Sequence, residues 1–160
     1  MRFKNNILFC LLVCSVVITS CDESANTLFE SVPASKTNIH FENELPKKEL
    51  FSILYYLYYY NGGGVATGDI NNDGLPDIYF TANSKGHNKL YLNKGNFEFE
   101  DITDKAGVKG NSDWCTGVTM ADVNSDGFLD MYVSTVSNKY GLTGHNELYI
   151  NNGNGTFTEK

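Results

Sequence analysis

Two stretches of this chain are copies of one another. Gly64–Phe80 (GVATGDINNDGLPDIYF) aligns with Gly117–Val133 (GVTMADVNSDGFLDMYV) at an offset of 53, with eight identities in seventeen positions. His87–Asn93 (HNKLYLN) aligns with His145–Asn151 (HNELYIN) at an offset of 58, and Phe99 with Phe157 at that same offset. Five residues are therefore inserted between the matched blocks of the second copy. A repeat of this length is a single supersecondary unit. It cannot bury its apolar side alone and must stack on its neighbours.

The repeat unit reads as β-structure. In the first copy, Gly64–Gly68 and Asp77–Ala82 flank an Asp-rich loop, Asn88–Asn93 follows with alternating apolar positions, and Phe97–Ile102 comes after the turn Asn93-Lys94-Gly95-Asn96. Short aromatic and β-branched runs separated by Asn-Gly-type turns are hairpin signals. Fifteen Gly, ten Tyr and ten Phe against three Pro favour a turn-rich β protein over a helical bundle. Thr103–Gly107 reads as one helical turn, capped by Thr103 and stopped by Gly107. Phe51–Tyr60 (FSILYYLYYY) is apolar on both alternating faces, which predicts a strand buried on both sides; the functional alternative is an aromatic platform for sugars. The expected fold is all-β: an incomplete β-propeller of four-stranded blades. Trp114 is expected to pack at a blade junction.

The Asp-rich loops carry the chemistry. Asp69-Ile70-Asn71-Asn72-Asp73-Gly74-Leu75-Pro76-Asp77 and Asp122-Val123-Asn124-Ser125-Asp126-Gly127-Phe128-Leu129-Asp130 are both D-x-N-x-D-G-x-x-D. Ca²⁺ is a hard cation that takes oxygen ligands. Asp69, Asn71 and Asp73 can turn side-chain oxygens toward one centre, Leu75 can offer its carbonyl, and Asp77 can close the shell. Asp122, Asn124, Asp126, Phe128 and Asp130 repeat this set, so two calcium sites are expected. Gly74 and Gly127 permit the sharp turn. An EF-hand is excluded, because Phe80 and Val133 stand where that loop needs its final Glu. Mg²⁺ suits the pattern less well, since it demands a rigid octahedron.

The N-terminus is an address. Arg2 and Lys4 precede the apolar run Ile7–Ile18, whose twelve residues are too few to span a bilayer. Ile18-Thr19-Ser20-Cys21 resembles the bacterial lipobox, which implies a signal peptide over 1–20, cleavage before Cys21 and a lipid on its sulfur. Cys10 and Cys14 would leave with the signal, and Cys115 would then be the lone internal thiol, with no disulfide available. It is expected to be a small buried residue rather than a nucleophile. Residues 21–37 read as a lipid-anchored tether. The net charge of −7, or −9 without the two basic residues of the signal, argues against nucleic-acid binding.

The two Asp-loop blocks resemble FG-GAP/VCBS repeats, the calcium-loop blades of integrin-α-type β-propellers. The Phe-Gly and Gly-Ala-Pro signatures are absent, which favours the VCBS branch. The wider run, through NGGGVATGD, NKLYLNKGNFEFEDITDKAGV and WCTGVTMADVN, is similar to bacterial surface lipoproteins of the VCBS-repeat class, relatives of the cartilage acidic protein family. The resemblance implies leading propeller strands over 38–63, one blade over 64–116 and a second, truncated blade over 117–160, with Phe157–Lys160 a frayed or unpaired edge. It implies an N-terminal fragment of a longer protein, because two blades cannot close a ring.

No catalytic constellation is legible. His87 and His145 occupy equivalent repeat positions, which points to turn roles. The expected function is a calcium-stabilised binding or adhesion module for protein or glycan, lipid-anchored at the bacterial cell envelope, with the outer membrane as the expected location. The alternatives are an enzyme whose active site lies beyond residue 160, and a structural spacer.

Overall fold

The computed structural model describes residues 28–45, 47 and 51–160. The signal segment and Cys21 lie outside the described residues. The chain divides into two units, Met1–Ser31 and Val32–Lys160; the second contains both repeats. Among the described residues no helix is long and apolar enough to cross a membrane.

Each repeat forms one antiparallel four-stranded sheet. The first sheet runs in the order β1 (Val65–Gly68), β2 (Asp77–Phe80), β3 (Lys89–Asn93), β4 (Phe99–Asp101). The second repeats that order with β5 (Cys115–Ala121), β6 (Asp130–Thr135), β7 (Glu147–Asn151) and β8 (Phe157–Glu159). The register repeats as well: Ala66 pairs with Tyr79 and Tyr79 with Leu90, as Thr119 pairs with Tyr132 and Tyr132 with Leu148. The last strand is not frayed; it is paired on one side and forms the sheet's edge. Tyr149, Ile150 and Asn151 face Glu159, Thr158 and Phe157, and the Lys160 amide donates to the Leu148 carbonyl at 2.9 Å. The second sheet is therefore a full four-stranded unit, with β8 as its outer edge.

Side chains alternate across a strand, and this decides how the sheets stack. Tyr79, Leu90 and Leu92 on one face of the first sheet pack with Met131, Val133 and Tyr149 of the second. Ile102, Ala106 and Val108, from the link between repeats, complete that core. Each large apolar side chain buried there contributes about 1.5–3 kcal/mol. The inner strands β1 and β5 lie side by side without pairing. Gly64 makes this possible, because a Cβ on it would lie 2.7 Å from the Gly117 Cα and 2.9 Å from the Val118 nitrogen. The Tyr79 hydroxyl donates to the Val108 carbonyl at 2.6 Å, and the Asn83 amide to the Cys115 carbonyl at 2.9 Å.

Two expectations change. Residues 51–60 do not form a strand. After Phe51 the chain runs through successive turns, with the Tyr55 and Tyr56 amides both donating to the Ser52 carbonyl at 3.0 and 2.9 Å. Turns scramble the two-residue alternation, so Phe51 and Tyr59 are buried with Trp114 and Leu142 while Leu54 and Leu57 are 86% and 79% exposed. Residues 38–45 are likewise no strand; they form an extended strap over the other face of the first sheet. Phe41 stacks on Phe80 at 4.8 Å, the His40 amide donates to the Tyr91 hydroxyl, and Asn43 bonds to Asn83 through both its side-chain amide and its carbonyl.

The helical turn after the first sheet is α2 (Thr103–Ala106), the counterpart in length of α1 (Ala34–Thr37). Gly107 ends α2 in the left-handed region at φ 76°, as expected. Thr103 is not its cap. The residue before α2 is Ile102, and Thr103 instead donates its amide and hydroxyl to Asp101 at 3.0 and 2.5 Å.

Candidate metal centre

The two Asp loops connect β1 to β2 and β5 to β6. They are replicas at the level of single hydrogen bonds. In the first, the Asp73 amide donates to Asp69 Oδ1 at 3.0 Å and Asn71 Oδ1 at 3.2 Å, the Gly74 amide to Asp69 Oδ2 at 2.7 Å, and the Leu75 amide to Asp73 Oδ1 at 2.9 Å. In the second, the Asp126 amide donates to Asp122 Oδ1 at 3.1 Å and Asn124 Oδ1 at 3.0 Å, the Gly127 amide to Asp122 Oδ2 at 2.9 Å, and the Phe128 amide to Asp126 Oδ1 at 2.9 Å.

Positions four and six of each loop have positive φ: Asn72 at 60° and Gly74 at 86°, Ser125 at 63° and Gly127 at 90°. These two left-handed steps wind the loop so that positions one, three and five face inward. Asn and Gly tolerate that conformation; most residues do not. The carboxylate at position nine closes the loop from the strand side. Asp77, fully buried, accepts from the Ile70 amide at 3.0 Å and the Asn93 amide at 2.8 Å. Asp130 accepts from Val123 at 3.0 Å and Asn151 at 2.8 Å.

Electrostatics separates the ends of the motif. Burial pushes the Asp77 carboxyl above its usual range; the Asn93 and Ile70 amides oppose this, and the nearby Asp73 and Asp69 carboxylates add to it. Asp122, at the exposed end of its loop, is held below the usual range chiefly by the Gly127 amide; desolvation opposes this, and the amides of Asp126, Ser125 and Asn124 add to the lowering.

The donor set suits a hard cation: the side chains at positions one, three, five and nine of each loop all carry oxygen, and a carboxylate oxygen that accepts one amide keeps a further lone pair. In this structure those oxygens are turned to loop amides. Among the described residues no three His, Cys, Asp or Glu side chains are grouped so as to enclose a metal ion. Leu75 and Phe128, expected to offer carbonyls, enter the hydrogen-bond network through their amides.

Sequence reasoning missed the residues that tie the loops together. The Asn151 side chain donates to the Ile70 carbonyl at 2.8 Å and the Leu129 carbonyl at 3.1 Å, and Asn72 donates to the Gly127 carbonyl at 3.1 Å. Asn93 and Asn151 are matched repeat positions, so the alignment held the signal. Glu147 was missed too. It stands where the first repeat has Lys89, is fully buried, and accepts from the Asn111 and Ser112 amides at 2.7 and 3.1 Å and the Tyr149 hydroxyl at 2.8 Å.

The remaining candidates for chemistry fall to structural roles. Burial, with the Glu147 carboxylate adding and an Asn88 hydrogen bond opposing, pushes the buried Cys115 thiol up to about 12. His145 lies just before β7, outside any turn; its backbone is clasped by Ser112, and its ring meets Glu159 at 2.9 Å. Trp114 is buried in the aromatic cluster, as expected.

Comparison with known proteins agrees with the repeat. A family model described as FG-GAP-like repeat matches residues 69–133, from the first residue of the first loop into β6. Cartilage acidic protein 1 of Xenopus tropicalis is 41% identical over 73 residues, which is 46% of this chain and 11% of that protein. The Mus musculus and Homo sapiens proteins of the same name are 40% and 38% identical over 73 residues. The chain spans about 11% of the length of these curated relatives. Residues 69–133 are thus similar to an FG-GAP-like repeat, and the two stacked four-stranded sheets that hold them are compatible with propeller blades.

Proposed function

We propose that this chain supplies two consecutive blades of a calcium-braced, β-propeller-type binding module for protein or glycan, held at the bacterial cell envelope by a lipid on Cys21. The observation that carries the reading is the bond-for-bond identity of the two Asp loops on stacked sheets. A turn that merely reverses the chain has no need for four oxygen-bearing side chains at the same spacing twice. The buried Cys115 thiol and the Ser112-clasped backbone of His145 are in keeping with a binding role.

The open face of the second sheet supports the multi-blade reading. Tyr79 and Leu90 of the first sheet are fully buried beneath the second, yet their counterparts Tyr132 and Leu148 are 40% exposed and half-buried. A further sheet of the same kind would cover them.

Calcium would neutralise the clustered carboxylates and lock the loops. At a dissociation constant of roughly 10⁻⁴ M, 1 mM calcium stabilises by about 1.4 kcal/mol per site. The test is a thermal melt in 1 mM calcium against EDTA, with bound metal counted by calorimetry. The expected result is a higher midpoint in calcium and two sites, falling to one in Asp73→Ala. An unchanged midpoint with no metal bound would remove calcium from the reading.

A further inference from the structure

The turns at 51–62 build a second feature, remote in character from the Asp loops. Tyr56, Tyr58, Asn61, Gly62, Trp114 and Thr116 line a hollow of about 340 Å³, within the range of small-ligand sites. None of these six residues is charged. The hollow beside the strap has a similar volume, about 330 Å³, but is lined by His40, Glu42, Glu44, His87 and Lys89. These two hollows of similar volume thus differ in character, one charged and one neutral and aromatic.

The aromatic wall is braced from behind. Trp114 meets Phe51 edge-on at 4.6 Å, Tyr59 at 5.4 Å and Tyr56 at 6.1 Å, while Tyr56 meets Tyr58 at 5.7 Å. Phe51 and Tyr59 are buried and fix the rings in place; Tyr58 is 62% exposed and offers its ring to solvent. Around these rings stand hydrogen-bonding groups with capacity to spare among the described residues. Neither the Asn61 side-chain amide nor the Tyr58 hydroxyl bonds to another described residue. Thr116 sits at the register shift between Cys115 and Gly117 in β5, which takes it out of the ladder and turns it outward. Its hydroxyl donates to the Ser134 carbonyl at 3.2 Å and keeps its acceptor side. Burial and the neighbouring Tyr140 and Tyr58 hydroxyls push the Tyr56 phenol up, so it remains a neutral donor.

We propose that this hollow is a glycan subsite that takes one uncharged pyranose ring, its C–H face on Tyr58 and its hydroxyls on Asn61 and Thr116. A lipid tail would need no amide or hydroxyl, and an anionic ligand would find no cation there. A neutral sugar uses both halves of the wall, because a pyranose has an apolar C–H face and a rim of hydroxyls. This choice rests on the reading of the chain as a binding module and narrows its ligand class.

Trp114 is the single tryptophan of the chain and lines the hollow, so its emission reports occupancy. The experiment titrates the whole chain with cellohexaose, laminarihexaose, xylohexaose and mannohexaose, with polygalacturonate and phosphatidylcholine vesicles as contrasts. At least one neutral hexasaccharide is expected to shift Trp114 emission saturably. Tyr58→Ala and Asn61→Ala should each weaken that binding at least tenfold without moving the thermal midpoint, since both side chains are exposed. No saturable response to any of the four sugars overturns the proposal, as does an affinity in both variants equal to that of the unaltered chain. A response to polygalacturonate or to vesicles alone overturns it by assigning the hollow to another ligand. Absence of sugar binding by the unaltered chain, with an intact calcium-dependent melt, refutes the subsite and leaves the calcium-braced module standing; sugar binding without a calcium-dependent melt separates them in the other direction.

Discussion

At the scale of single residues, this protein spends its polar side chains on backbone amides. Asp69, Asp73, Asp77 and their second-repeat counterparts accept loop N–H groups that no ladder can reach, and Asp101 does the same beside α2. Burial alone would raise the Asp101 carboxyl, but the Lys89 ammonium at 2.8 Å and the Thr103 hydroxyl and amide outweigh it and hold the group below its usual range. A carboxyl depressed in the folded state stabilises fully above its unfolded value, near 3.9, and this is lost as pH falls through the lower folded value. Asp101→Asn should therefore lower the urea midpoint at pH 6, with the deficit shrinking toward pH 2. The side chain is 37% exposed and the pair is screened, so the effect is at most about 1 kcal/mol. A deficit that stays constant across that range would show that the charge of Asp101 plays no part.

At the scale of elements, close approach of backbones decides more than side-chain volume. The inner strands β1 and β5 meet at glycines, but the contact is one-sided. A Cβ on Gly64 strikes the backbone of β5, whereas a Cβ on Gly117 meets nothing within 4 Å. Backbone cannot swing away as a flexible side chain can. Gly64→Ala should cost about 1–3 kcal/mol, and Gly117→Ala should be neutral or slightly stabilising. Equal urea midpoints for the two variants would sink this account of how the sheets are seated. Nothing in the two aligned glycines distinguishes them by sequence; only the stacking direction does. The strands themselves were legible: Asp77–Phe80, Lys89–Asn93 and their counterparts lie where alternation and Asn-Gly turns put them. The run Phe51–Tyr60 was not, because its composition suits a buried strand while its bonds to the Ser52 carbonyl select turns.

At the scale of the whole molecule, the two repeats are joined by a shared core and by bonds that pass between their loops. Asn151, in β7, reaches back to the Ile70 carbonyl of the first loop, and Ile70 is itself buried in the core between the sheets. Asn151→Ala leaves the Ile70 and Leu129 carbonyls without that donor, and the expected cost is about 1–3 kcal/mol. In a double-mutant cycle with Asn72→Ala, the other cross-loop donor, a coupling of at least about 0.5 kcal/mol is expected. Strict additivity in urea unfolding would show that the loops are independent. The sequence by itself determined the repeat, the strand order within each unit and the oxygen-rich loops. These are local properties: alternation, turn chemistry and the spacing of Asp and Asn act within one copy and are printed twice. The tertiary structure alone decided which face of each sheet is buried, which of two matched glycines is indispensable, why Lys89 is replaced by a buried Glu147, and that an aromatic run folds into a neutral, ring-walled hollow. Each of these depends on what the neighbouring copy places against a residue, and a stacked repeat gives equivalent positions different neighbours.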